Sequence, residues 1–320
     1  MLNVLTNVDY RHHPTTDTEL PGGVIWYDLL QPTLAEEAIV SRALGIELPT
    51  QDEMREIELS ARLYHEDGAE FMTALTVTGI GTDDPVKSPV TFVLKGATLV
   101  TIRHVEPKSF EGVIARSRRT GEAVTAEGIM LALLDGITDR IADALERTGD
   151  EIDAISKEIF RKKQSNAGAR THDLQSLIDQ IGLKGEFLGA IRESLVSISR
   201  LLAYHVASTT NLRKDAKQKA KLLQRDATSL GEHASFLSDK TTFLLDATLG
   251  LINLQQNQII NIFSVAAVAF LPPTLVASIY GMNFDHMPEL HFSYGYPMAL
   301  GLMVLSAVLP CVYFKRRGWL

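Results

Sequence analysis

Residues 247–284 read ATLGLINLQQNQIINIFSVAAVAFLPPTLVASIYGMNF, and this long stretch contains no Asp, Glu, Lys or Arg. A membrane helix needs about 20 apolar residues to cross roughly 30 Å of hydrocarbon. A second charge-free run, residues 290–314, follows closely. We therefore predict two transmembrane helices, Ile259–Tyr280 and Phe292–Phe314, in preference to a pair of buried helices in a soluble core.

The charges beside the two predicted spans indicate their orientation. Three basic residues, 315–317, follow the second span, whereas Asp285 and Glu289 are the charged residues between the spans. Because basic residues accumulate in cytoplasmic segments, both termini are expected in the cytoplasm. The two acids then lie in a periplasmic acidic loop that attracts cations, an effect that salt screens over about 8 Å.

The composition of the whole chain excludes several classes of function. With a net charge of −8 and no glycine-rich phosphate loop or basic-aromatic patch, nucleic acid is not expected as a partner. Histidines are scattered, with His12 and His13 as the only adjacent pair, and no nucleophile–base or metal-ligand spacing is present, so no enzyme is predicted. Cys311 is the only cysteine, which excludes an intramolecular disulfide.

The sequence before the spans predicts an α+β cytoplasmic domain, a mixed sheet with helices. Runs rich in β-branched and aromatic residues predict strands, and apolar residues spaced three and four apart predict helices. The predicted elements are strands Val24–Leu30 and Glu70–Thr78, helices Leu34–Leu44 and Gln51–Ser60, and a hairpin of Val90–Leu94 with Thr98–His104.

Helical periodicity dominates the next part of the chain. It predicts a long amphipathic helix over Ala123–Phe160, a turn over Arg161–Arg170 and a second helix over Leu174–His205. A third helix begins near Leu212, and because no proline occurs before Pro272 we predict that it runs unbroken into the first span as a stalk helix.

These patterns divide the chain into five segments. The predicted segments are the α/β domain (1–122), the helical bundle and stalk helix (123–256), the first transmembrane helix (257–281), the periplasmic loop (282–294), and the second transmembrane helix with its basic cytoplasmic tail (295–320).

One face of the first span carries small and polar residues with apolar interruptions. Its members, which we call the seam, lie at alternating steps of three and four, as in a helical bundle. They are Asn257, Ile260, Ser264, Ala267, Leu271, Thr274 and Ser278. Such a face suits a tight contact between two helices, or it lines a pore when several subunits surround an axis. Two spans in one subunit cannot enclose a water-filled path, so a pore requires several subunits.

The first span ends at Gly281, Met282 and Asn283. Mg²⁺ sheds its water reluctantly, so a first selectivity site suits neutral carbonyl oxygens that bond to the hydration shell. Asn283 supplies one such oxygen per subunit, and Gly281 allows the chain to leave the helix. By itself, this tripeptide is more simply interpreted as a glycine–asparagine helix stop.

Three further motifs accompany the tripeptide. Tyr-Gly-Met-Asn at 280–283 is followed by Met-Pro-Glu-Leu at 287–290, Tyr-Gly-Tyr-Pro at 294–297 and Tyr-Phe-Lys-Arg-Arg-Gly-Trp-Leu at 313–320. Together they resemble the CorA family of magnesium and cobalt transporters, and its proteobacterial members most of all. The resemblance extends back to residue 263, whereas the N-terminal part is similar only in its order of elements and in short pieces.

The resemblance implies a funnel-shaped homopentamer in the lipid of the bacterial inner membrane, with the first spans around the pore. It implies passive uptake of hydrated Mg²⁺, with Co²⁺ and Ni²⁺ as alternative cargo, through a selectivity filter formed by the Gly-Met-Asn motif. It also implies a regulatory Mg²⁺ site between subunits, where Glu56 and Asp226 match the carboxylates of the family. Arg55 departs from the pattern, because relatives often have a second acid at that position.

Two other functions are also compatible with the sequence. A zinc transporter of the related ZntB type shares the fold, although the intact Gly-Met-Asn motif favours magnesium. A two-span coiled coil that is tethered to the membrane and organises partners would transport no ion. Ion flux through the purified protein in liposomes separates a transporter from such a scaffold.

Overall fold

The computed structural model describes residues 1–6, 10–12, 21–80, 85–120, 125–161, 167–209, 213–283, 287 and 292–317. By internal contacts the chain forms two compact units. The first unit comprises Met1–Lys162 with Leu177–Leu244, and the second comprises Lys163–Ser176 with Leu245–Leu320.

A seven-stranded mixed sheet occupies the first unit. Its strands are β1 Leu2–Thr6, β2 Tyr10–His12, β3 Val24–Leu30, β4 Leu63–Glu66, β5 Ala69–Thr78, β6 Val86–Lys95 and β7 Thr98–Arg103. Their order is β2-β1-β3-β7-β6-β5-β4, and every neighbouring pair is antiparallel except β3 with β7. The predicted mixed sheet and its hairpin at Gly96 are confirmed, because β6 and β7 pair with Leu94 opposite Leu99. Gly96 has a φ of 58°, a left-handed conformation that glycine adopts without strain.

Two short helices of the sheet region begin at capping boxes. Helix α1, Leu34–Leu44, starts at Thr33, whose hydroxyl accepts a bond from the Glu36 backbone N–H while the Glu36 carboxylate accepts one from the Thr33 N–H. Helix α2, Gln51–Arg55, repeats this arrangement between Thr50 and Glu53. These reciprocal bonds satisfy amide donors that a helix start otherwise leaves free.

The predicted single helix over Gln51–Ser60 is wrong. Helix α2 ends at Arg55, and a separate helix α3 covers Leu59–Arg62. Glu56 adopts φ −56° and ψ 143°, which is extended rather than helical. Its carbonyl accepts a hydrogen bond from the Arg62 guanidinium at 2.5 Å. Because this bond comes from a side chain beyond the predicted segment, helical periodicity within the segment does not reveal the break.

The described residues contain five longer helices: α4 Lys108–Thr120, α5 Ala126–Arg161, α6 Ala167–Ser208, α7 Lys214–Tyr280 and α8 Gly295–Arg316. The stalk prediction is confirmed, since α7 is one helix that continues through Pro272 and Pro273. The predicted turn over Arg161–Arg170 is wrong at both ends, because Arg161 still belongs to α5 and α6 already begins at Ala167.

Helix α5 buries the face that its sequence predicts. In α5 the apolar residues at three and four spacing from Leu131 to Ile159 are buried. Helix α6 also covers the backbone of β5 beyond the end of β4. There the Leu75 N–H donates to Ser197 Oγ at 2.8 Å, and the Leu75 carbonyl accepts a bond from Ser194 Oγ at 2.7 Å. The helix thereby satisfies polar backbone groups that an open sheet edge would expose.

In the second unit, the C-terminal part of α7 and the whole of α8 are long and apolar enough to span a membrane. Only 6% of the most apolar 18-residue stretch of each helix is buried. Val265 and Ala299 are buried members of these helices, while Phe270 is 73% exposed. A pair of soluble core helices would bury most of its apolar surface, so this exposure favours the predicted spans.

Candidate functional site

The helix stop at Gly281 rests on a close backbone approach. The Gly281 N–H donates to the Ala277 carbonyl at 2.9 Å, and the Met282 N–H donates to the Ile279 carbonyl at 3.3 Å. A β-carbon at position 281 would lie 3.0 Å from the Ala277 oxygen. That distance is shorter than an ordinary van der Waals contact, so a larger residue would displace the end of α7.

The Gly-Met-Asn motif follows directly from this helix end. Gly281, Met282 and Asn283 are all exposed, and Asn283 follows the last intrahelical hydrogen bonds of α7. Asp285 and Glu289, the acids of the predicted periplasmic loop, lie outside the described residues. Neutral oxygens therefore lie exposed at the end of a membrane-length helix. Such oxygens can accept hydrogen bonds from the water molecules that surround a hard cation.

The seven seam residues are all exposed in a single chain. The apolar members Ile260 and Leu271 are 60% and 66% exposed, whereas Val265, one position after Ser264, is 5% exposed. Successive helix positions are rotated by about 100°, so the seam and Val265 lie on different faces of α7. The seam is therefore available to other copies of the chain or to water.

The Thr274 hydroxyl belongs to the seam and donates to the Phe270 carbonyl at 2.7 Å. Its proton is used within the helix, while its oxygen keeps lone pairs that accept hydrogen bonds from water. A hydrated cation presents water protons on its outside, so this hydroxyl suits an ion that retains its hydration shell.

The two residues of the predicted regulatory site lie on different elements of the first unit. Glu56 is exposed at the end of α2, next to Arg55, and Asp226 is exposed on α7. Within the described residues, no group of three or more His, Cys, Asp and Glu side chains is placed to hold a metal ion. In a single chain, Glu56 and Asp226 are therefore two separate carboxylates. The described residues do not form a multidentate metal site around them.

A buried ion pair that was not predicted from the sequence joins β3 to β7. Arg103 donates from Nε and Nη2 to the two carboxylate oxygens of Asp28, each at 2.9 Å. Thr101 Oγ1 donates to Asp28 at 2.8 Å and accepts from Trp26 Nε1 at 2.9 Å. Asp28 is 0% and Arg103 3% exposed. An acid inside an otherwise apolar strand is the one local signal that could have revealed this group.

A second buried polar group was also missed. His205 of α6 lies between two carboxylates, with Nδ1 2.8 Å from Glu70 Oε2 and Nε2 3.3 Å from Glu127 Oε1. Ser208 Oγ donates to the other oxygen of Glu70. Burial lowers the pKa of His205, but the hydrogen bonds and charges of Glu70 and Glu127 outweigh it, so the net pKa is raised. Because its members come from three distant elements, sequence spacing gives no signal for it.

Comparison with known proteins adds independent evidence. The family model described as "CorA-like Mg2+ transporter protein" matches residues 21–316. The chain is 36% identical over 298 residues to the magnesium transport protein CorA of Haemophilus influenzae, covering 92% of both chains. Its fold is similar to that of the CorA magnesium transporter from Methanocaldococcus jannaschii, with a TM-score of 0.79, 19% identity, and coverage of 100% of this chain and 98% of the other.

A solved structure of a ZntB-type protein is also similar to this chain, but at a lower TM-score and identity than the CorA structure. The cytoplasmic domain of ZntB from Vibrio parahaemolyticus matches with a TM-score of 0.58 and 9% identity, covering 79% of this chain and 98% of that domain. At this identity the match concerns the fold alone. The family match over nearly the whole sequence and the similarity to curated CorA proteins show that the chain belongs to the CorA-like Mg²⁺ transporter family.

Proposed function

We propose that this protein is a channel for passive uptake of hydrated Mg²⁺ across the bacterial inner membrane, with Co²⁺ as alternative cargo. The observation that carries the proposal is the exposed seam of α7, which leads to the Gly-Met-Asn motif at the end of a membrane-length helix. The curated relatives, which are magnesium transport proteins, support the same ion. Mg²⁺ flux into liposomes containing the purified protein tests the proposal, and a scaffold would give no flux.

The proposed assembly is a homopentamer, with five copies of α7 around the ion path and α8 between α7 and lipid. Two spans of one chain cannot enclose water, and the exposed seam is free to face neighbouring copies of α7. A membrane potential contributes about 4.6 kcal/mol per 100 mV to the inward movement of a divalent cation, twice the value for a single charge. Passive entry therefore needs no second energy source.

The proposed functional segments keep the boundaries predicted from the sequence. The cytoplasmic part comprises the α/β domain 1–122 and the bundle with the stalk 123–256, while 257–281 lines the pore. The loop 282–294 then carries the filter on the periplasmic side, and 295–320 returns the chain to the cytoplasm. The basic residues at 315–317 support this orientation, with both termini cytoplasmic.

Water-soluble thiol reagents test whether the seam lines the pore. In a Cys311→Ser background, Ser264→Cys and Leu271→Cys are expected to react several-fold faster than Ile262→Cys and Val276→Cys. The control positions are rotated by about 150° or more from the middle of the seam, so they would face the second span or lipid. Equal rates at all four positions, measured by mass spectrometry in liposomes, would contradict the assignment.

We further propose that Glu56 of one subunit and Asp226 of a neighbour hold a regulatory Mg²⁺ that closes the channel. Exposed apolar side chains beside each acid support an interface: Ile57 is 88% exposed next to Glu56, and Leu222 is 58% exposed one turn before Asp226. Arg55, adjacent to Glu56, places a positive charge near the ion and weakens binding. Closure by cytoplasmic Mg²⁺ would make uptake self-limiting through mass action.

Limited proteolysis at increasing Mg²⁺ concentrations tests the regulatory site. Mg²⁺ is expected to slow cleavage of the wild-type protein because an ion bound between subunits holds them together. Glu56→Lys and Asp226→Lys should remove this protection, whereas Glu58→Lys and Asp239→Lys, which change exposed acids on the same parts of the chain, should retain it. Identical Mg²⁺ dependence in all five proteins would reject Glu56 and Asp226 as ligands.

A further inference from the structure

The buried group around His205 joins three elements that are distant in sequence. Glu70 lies on β5, Glu127 in the first turn of α5, and His205 with Ser208 in the last turn of α6. The His205 side chain is 2% exposed and that of Glu70 is 5% exposed, whereas that of Glu127 is 22% exposed. Thr209, which follows α6 directly, also donates to Glu70, at 3.5 Å.

With both carboxylates ionised, this geometry calls for a protonated imidazole. Ionised carboxylates accept hydrogen bonds only, so two carboxylates on opposite ring nitrogens need two N–H donors. A neutral imidazole has one N–H and leaves a lone pair facing the second carboxylate. The helix ends favour the same charges, because a cation is stabilised at the C-terminus of α6 and an anion at the N-terminus of α5.

We propose that Glu70, Glu127, His205 and Ser208 form a pH-sensitive clamp, in which the imidazolium fastens the first turn of α5 and the last turn of α6 to β5. When His205 loses its proton, its remaining N–H stays with Glu70, which is buried and has further donors in Ser208 and Thr209. Glu127 is partly exposed and can turn to water, so the contact to α5 is the one released. The proposal does not depend on the transport function.

The clamp lies immediately before the stalk. Only residues 209–213 separate the end of α6 from α7, the helix that continues to Tyr280. Loosening the last turn of α6 therefore acts close in sequence to the start of α7. Since cytoplasmic pH varies within the range in which histidine titrates, the clamp gives this domain a response to pH.

The other titratable groups near the clamp differ from His205 in pKa or exposure. Burial and the charge of Glu70 raise the pKa of Tyr204, so this phenol stays neutral throughout the pH range in which histidine titrates. His65 on β4 pairs with Glu70 across the strands and packs edge-on against Tyr204, with ring centroids 6.4 Å apart, but it is exposed. His65 is therefore the histidine that an experiment must separate from His205.

The sign of the pH dependence follows from the raised pKa of His205. Its contribution to stability is present in full below 6.5, the ordinary histidine value, and is lost as the pH rises through the higher folded-state pKa. His205→Asn removes the charge at every pH. The full-length wild-type protein in detergent should have a higher thermal unfolding midpoint than His205→Asn, and this gap should be roughly 4 °C wider below pH 6.5 than at alkaline pH.

Two controls and a second clamp variant sharpen the test. His65→Gln, close to the clamp, and His233→Gln, an exposed histidine on α7, should follow the wild-type pH profile. Glu127→Gln keeps an acceptor but removes one charge, so it should move the alkaline loss of stability to lower pH. A gap between wild type and His205→Asn that stays constant with pH would overturn the clamp. If His205→Asn does not fold, a Glu127→Gln profile identical to that of the wild type would overturn it equally.

Discussion

Asn283→Ala is expected to abolish Mg²⁺ uptake while leaving the assembled protein intact. The substitution removes the side-chain carbonyl that we propose each subunit presents to the hydrated ion at the end of α7. In a pentamer five such contacts are lost together, each of about 0.5–1.5 kcal/mol. Their sum exceeds the roughly 1.4 kcal/mol that corresponds to a tenfold change in rate. Uptake measured by a fluorescent Mg²⁺ indicator in liposomes should therefore fall at least about tenfold.

The matched control for this prediction is Asn261→Ala. Asn261 is an amide on the same helix, within the predicted first span but off the seam by about a quarter turn. Its replacement should leave most of the uptake, and size-exclusion chromatography should show the same oligomer for both variants. Wild-type flux through Asn283→Ala would remove the filter assignment, whereas equal loss in both variants would point to a general effect of amide removal.

Asp28→Ala is expected to cause the largest loss of stability in the first compact unit. Arg103 is 3% exposed and also packs over the Phe110 ring at 4.4 Å, so it cannot reach water when its partner is removed. Breaking a buried pair in this way costs about 3–5 kcal/mol. For a chain of this size we expect the thermal unfolding midpoint to fall by roughly 6–20 °C.

Lys87→Ala provides the contrasting measurement. Lys87 and Glu193 form an ion pair at 2.6 Å, but the two side chains are 46% and 57% exposed. Exposed pairs contribute about 0–1 kcal/mol, so this variant should melt close to the wild type. The double variant Asp28→Ala with Arg103→Met should recover part of the loss, because it no longer buries an unpaired charge. Similar midpoints for Asp28→Ala and Lys87→Ala would refute the importance of the buried pair.

Several elements could be predicted because their signals are local. The capping box from Thr33 to Glu36 defines the start of α1, and Gly45, with φ 60°, follows its end. The stalk and the first span form one helix, as the absence of any earlier proline predicts. The failure at Gln51–Ser60 has the opposite cause, since the Arg62 side chain intervenes from outside the segment.

The amino-acid sequence by itself determined the two membrane-length helices, the continuity of α7 and the position of the Gly-Met-Asn motif at its end. These features depend on composition and on periods of a few residues, so each is encoded within one continuous segment. Only the tertiary structure decided that Asp28 meets Arg103 and that Glu70 meets His205, because these partners are separated by 75 and 135 residues. Strand pairing and helix packing bring them together, and burial then gives each charge a partner in place of water.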